Sequence, residues 1–125
     1  MKFKTILIVD NSITVRQLLS MTFIKAGYQV EVAKDGLEVW KKLQNNLHVD
    51  LISLNIEMPS MNGQELAWKI RKDSKLQNLP IVFMTSRGTS RMGVAIEQLV
   101  KNCAYMTKPY VEEKVLETVK SLLKK

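Results

Sequence analysis

Short apolar runs alternate with helical stripes along the whole chain. Thr5 to Val9 is a near-continuous run of β-branched residues and leucine, as in a strand buried on both faces. From Ser12 to Ala26, Val15, Leu18, Leu19, Thr22 and Ala26 fall on one helical face, with Ser12 as N-cap and Gly27 as the stop. Tyr28 to Ala33 reads as a second strand, Val30 and Val32 alternating with polar neighbours, and Asp35-Gly36 breaks it. A second helix runs to about Asn45 on Val39, Trp40, Leu43 and Leu47. Leu51 to Leu54 is the third strand, ended by Asn55 and then by Pro59.

The alternation continues to the C-terminus. Asn62-Gly63 opens a helix to about Lys72 on Leu66, Ala67 and Ile70, and Pro80 precedes a fourth strand, Ile81 to Thr85. A fourth helix spans about Ser90 to Lys101, with Cys103 beyond it on the same apolar stripe as Leu99 and Val100, which reads as a buried structural thiol. Tyr105 to Thr107 is a short fifth strand, and Val111 to Leu123 closes the chain as a helix on Val111, Val115, Val119 and Leu122. Repeated βα units of this length predict an α/β fold: a parallel sheet with helices on both faces. In such sheets the site lies beyond the carboxyl ends of the strands. Those ends name the candidates: Asp10 and Asn11, Asn55, Thr85 and Ser86, and Lys108.

Composition narrows the class without changing that picture. The 125 residues are 46% hydrophobic and 25% charged, which suits one globular domain over residues 1–125 and excludes disordered and low-complexity classes. A single Cys103 and a single His48 leave no disulfide pair and no metal-binding or Ser-His-Asp constellation. The N-terminal apolar run from Ile6 to Val9 is too short for a signal peptide or a membrane span, so a cytoplasmic location is expected, with no membrane partner. The formal charge of +7 admits a basic nucleic-acid or acidic-surface binder. Lys and Arg are nevertheless spread over every predicted helix, without a helix-turn-helix, so an acidic protein partner is expected before a nucleic acid.

Four segments at the strand exits together carry a family resemblance: LIVDNS at 7–12, LNIEMPSMNG at 54–63, FMTSR at 83–87 and AYMTKPY at 104–110. With this order and spacing the chain resembles a response-regulator receiver domain of the CheY-like type. The resemblance implies a three-layer, doubly wound (βα)5 flavodoxin-like fold with strand order 2-1-3-4-5. It also implies chemistry. In a working receiver an aspartate at the end of the third strand accepts a phosphoryl group, an acidic pair after the first strand helps to hold Mg²⁺, and a hydroxyl and a lysine contact the phosphoryl oxygens. Carried over by position, the acceptor falls on Asn55 and the acidic pocket on Asp10, Asn11 and the backbone carbonyl of Glu57. The hydroxyl falls on Thr85, the lysine on Lys108, the switch aromatic on Tyr105 and the cis-peptide proline on Pro109.

Two of these positions depart from the family pattern. Asn55 and Asn11 are amides where the family carries acids, so no acyl phosphate is expected by the family's route and Mg²⁺ binding is expected to be weak or absent. Lys108 is left to pair with Asp10 or to hydrogen-bond the Asn55 carbonyl oxygen. The resemblance then implies a non-enzymatic pseudo-receiver without cofactor, which binds a signalling protein such as a histidine kinase or effector. Its surface would run over the fourth helix, fifth strand and last helix around Arg91, Lys101, Tyr105 and Lys114. The motifs are further similar to receivers of chemotaxis-type hybrid histidine kinases. An ordinary phospho-accepting regulator carrying an Asp-to-Asn change at 55 is the alternative, although the second amide, Asn11, does not fit a single-site change.

Overall fold

The computed structural model describes residues 3–45, 47–58, 63–85, 102–108 and 110–124. In chain order the elements are β1 (Thr5–Val9), α1 (Ile13–Lys25), β2 (Gln29–Ala33), α2 (Gly36–Gln44), β3 (Leu51–Asn55), α3 (Gly63–Lys72), β4 (Ile81–Thr85), β5 (Cys103–Thr107) and a C-terminal helix, α4 (Glu112–Leu123). The helix expected over about Ser90 to Lys101 lies outside the described residues, as do Ser86, Arg91 and Pro109. The strands form one sheet in the order β2-β1-β3-β4-β5. Every pairing is parallel, with Ile6 opposite both Val30 and Leu51, Ile52 opposite Ile81, and Ile81 opposite Cys103.

Alternation along the strands divides the core into two layers. Leu7, Val9, Ile52, Leu54, Ile81 and Phe83 point to one face and pack with Val39 and Leu43 of α2 and Leu66, Ala67 and Ile70 of α3. Ile6, Ile8, Leu51, Val82 and Met84 point to the other, against Leu19 and Phe23 of α1 and Val115, Val119 and Leu122 of α4. β1, β3 and β4 are thus apolar on both sides, the pattern of central parallel strands. Phe83→Ala is expected to cost about 3–5 kcal/mol, measured by urea unfolding, because Phe83 has 0% exposure and its cavity cannot be filled from the surface.

Several sequence expectations shift in detail. Ser12 does cap α1, accepting from the Val15 amide at 3.3 Å, and Gly27 follows the helix at φ +96°, a left-handed conformation that glycine adopts without strain. The buried stripe of α1 is Leu19, Thr22 and Phe23, however, while Leu18 and Ala26 are exposed. α1 also carries Ile13, Met21 and Ile24 exposed, so its apolar residues surround the helix and do not single out one face. Cys103 belongs to the start of β5, half-buried, and not to a helix stripe. Val111 is the exposed N-cap position of α4, leaving Val115, Val119 and Leu122 as the stripe. Among the described residues, no helix is long and apolar enough to cross a membrane.

Candidate functional site

From β1 the chain steps outward to β2 and then crosses back past β1 to β3, so the winding reverses between β1 and β3. That is the position at which an open parallel sheet leaves a crevice beyond its strand ends. Asp10 follows β1 directly, Asn55 ends β3, Thr85 ends β4 and Lys108 follows β5. The ends are tied across the crevice by backbone bonds: Ile56 N–H donates to the Met84 carbonyl at 2.9 Å and Lys108 N–H to the Thr85 carbonyl at 2.7 Å. A rigid rim therefore carries the polar residues.

Asp10 is the anchor of the site. Its side chain is only 3% exposed, and Lys108 Nζ lies 3.3 Å from Oδ2. The other oxygen, Oδ1, accepts from the Ser12 amide at 2.9 Å, a local turn that also sets the start of α1. Arg16, one turn into α1, donates through Nη1 to the Asp10 carbonyl at 2.6 Å. Of the two partners open to Lys108 from sequence, the structure selects Asp10. The ammonium also lies 6.0 Å from the centre of the Tyr110 ring. Burial, reinforced by the negative charges of Asp10 and Glu57, pushes the Tyr110 phenol above its ordinary pKa, so it stays neutral.

Asn55 is 4% exposed, and its Nδ2 donates to the Glu57 carbonyl at 2.8 Å and more weakly to Asn11 Oδ1 at 3.4 Å. This orientation of the amide is the one that electrostatics favours. The opposite flip would aim Oδ1 at the carbonyl oxygen of Glu57. Asn55 Oδ1 is buried and has no hydrogen-bond partner among the described residues. Asn11 itself is exposed at the rim.

Sequence reasoning placed only the backbone carbonyl of Glu57 in the site. The structure adds its side chain. Thr85, with 0% exposure, donates through Oγ1 to Glu57 Oε1 at 2.7 Å. Glu57 therefore adds a second carboxylate to the crevice beside Asp10. Strand periodicity carried no signal for this, because β3 ends at Asn55 and the chain bends at Ile56 before Glu57. Tyr105 is half-buried against the α2 and α3 layer, and its hydroxyl is buried without a partner among the described residues. Lys114 is exposed on α4, whereas Arg91, Lys101 and Pro109 lie outside the described residues.

This crevice, with an acid after β1, a hydroxyl ending β4 and a lysine after β5 on a 2-1-3-4-5 parallel sheet, has the layout of a signalling receiver. Residues 6–120 match the response regulator receiver domain, and the chain belongs to that family, as a CheY-like domain of two-component signalling. It is 32% identical over 120 residues to the chemotaxis protein CheY1 of Helicobacter pylori, covering 94% of this chain and 95% of that one. Among solved structures it is similar to the chemotaxis protein CheY4 of Vibrio cholerae, with TM-score 0.88 and 33% identity over 97% of this chain and 99% of that one. It is also similar to the response regulator TrrA of Thermotoga maritima in complex with Mg(2+)-BeF, with TM-score 0.83 and 32% identity over 96% of this chain and 99% of that one.

Proposed function

We propose that this receiver domain works without aspartyl phosphorylation, as a pseudo-receiver that binds a cytoplasmic signalling protein, a histidine kinase or an effector, in one standing conformation. The observation that carries this reading is the buried Asn55 amide donating to the Glu57 carbonyl at 2.8 Å. An acceptor needs a charged carboxylate oxygen as nucleophile. The nitrogen at this position is delocalised into its own carbonyl and is spent as a hydrogen-bond donor.

The donor set argues against Mg²⁺ as well. One oxygen of Asp10 is bonded by the Ser12 amide and the other by Lys108, while an NH₂ group sits between the Glu57 carbonyl and Asn11 Oδ1. Mg²⁺ demands near-octahedral oxygen ligands, usually with one or two carboxylates. Neutral amides and two carboxylates already engaged, Asp10 by Ser12 and Lys108 and Glu57 by Thr85, do not meet that demand, so the proposal includes no metal, no cofactor and no catalysed reaction. What remains is binding. The Asp10–Lys108 pair supplies from within the charge neutralisation that would otherwise accompany a phosphoryl group.

The test is an amide NMR spectrum of the unsubstituted chain, recorded with and without acetyl phosphate and Mg²⁺. Unchanged signals for Asp10, Asn55, Thr85 and Lys108 are expected. Shifts concentrated at those residues would overturn the reading.

A further inference from the structure

Resting on the phosphorylation-independent reading, one contact in the crevice has the character of a ligand contact made by the chain to itself. The Thr85 hydroxyl, fully buried, donates at 2.7 Å to the carboxylate of Glu57. A hydroxyl bonded to a carboxylate is charge-assisted, shorter and about twice as strong as a neutral hydrogen bond. Glu57 is held at both ends, its carbonyl by Asn55 Nδ2 and its carboxylate by Thr85 Oγ1. The intervening backbone is laddered to β4 through Ile56 N–H and the Met84 carbonyl. Two contacts thus tie the exit of β3 to the exit of β4, and the Asn55 amide braces the β3 side from within.

We propose that Glu57 is a resident anion for Thr85, and that Asn55 and Glu57 operate as a pair. The carboxylate takes up the hydroxyl that an incoming anion would need, so Thr85 is held in one position without a phosphoryl group. The pairing follows from charge. An amide at position 55 offers a hydrogen to the Glu57 carbonyl, whereas a carboxylate there would offer only lone pairs. It would also add a third acid beside Asp10 and Glu57, where among the described residues Lys108 brings the ammonium. Restoring the acceptor acid alone therefore leaves the crevice closed to anions, and Glu57 has to be removed as well.

The experiment has two arms. In the first, Asn55→Asp and Asn55→Asp/Glu57→Ala chains are titrated with beryllofluoride in the presence of Mg²⁺, followed by NMR. The doubly substituted chain is expected to bind at least about tenfold more tightly, the affinity equivalent of one charge-assisted hydrogen bond. Equal affinity, or no binding by either chain, would overturn the proposal. In the second arm, the Thr85 amide and methyl signals are compared in Glu57→Ala and Glu57→Gln chains that keep Asn55. Glu57→Ala is expected to displace both signals and Glu57→Gln, which retains an acceptor oxygen, to displace them less. Thr85 signals unmoved by Glu57→Ala would contradict the contact itself. Phosphorylation of the unsubstituted chain would instead defeat the pseudo-receiver reading and leave both comparisons interpretable.

Discussion

Lys108→Met is expected to lower the unfolding free energy by about 3 kcal/mol, because it strands a buried carboxylate. The Asp10 side chain is 3% exposed and Lys108 is its ion-pair partner at 3.3 Å. Methionine keeps most of the length and apolar stem of lysine, so the loss reports the charge and not the packing. Once the ammonium is gone, the Asp10 carboxylate keeps, among the described residues, the Ser12 amide on Oδ1. Adding Asp10→Asn should recover much of the loss, and a double-mutant cycle in urea then gives the coupling between the two groups. Additive single and double losses would show that the pair does not hold the site.

Asn55→Asp is the second large effect, and its sign distinguishes this crevice from one built for an acid. Substitution removes the donor to the Glu57 carbonyl at 2.8 Å and places a charge where exposure is 4%. In metal-free buffer it is expected to destabilise the fold by about 2 kcal/mol, the scale of a buried group losing its hydrogen bond and facing like charge. Lys108 can offset part of this, but only by sharing itself between positions 10 and 55. A chemical denaturation curve on the single variant measures it. An unchanged or raised midpoint would mean that the crevice tolerates the acid and that the amide has no structural role.

Much of the fold was legible in the sequence because parallel central strands are written in short apolar runs. The bounds of β1 and β4 coincide with runs 5–9 and 81–85, closed by Asp10 and preceded by Pro80. Where the pattern carries less information, the reading slips. α1 has apolar residues almost all round, so periodicity selected Leu18 where packing selected Phe23. Cys103 and Val111 sit at element ends, where the stripe of a helix or the start of a strand is decided by tertiary contacts. The strand order came from family resemblance and not from periodicity, which says nothing about which strands are neighbours.

The site divides in the same way. Strand exits named Asp10, Asn55, Thr85 and Lys108, and the structure gathers all of them at the crevice. Sequence left Lys108 two partners, since the choice between Asp10 and Asn55 depends on where a flexible lysine ends, which only packing fixes. The Glu57 side chain escaped notice for a different reason. A rule that uses a residue for its carbonyl is indifferent to its side chain, yet here that side chain changes the charge of the site and takes the Thr85 hydroxyl.

The most direct test is covalent. The unsubstituted chain is incubated with acetyl phosphate and Mg²⁺, and its intact mass is recorded before and after hydroxylamine treatment, beside a phospho-accepting receiver as control. No hydroxylamine-labile phosphate is expected on this chain while the control gains one. A labile phosphate on the unsubstituted chain would contradict a receiver that works without phosphorylation.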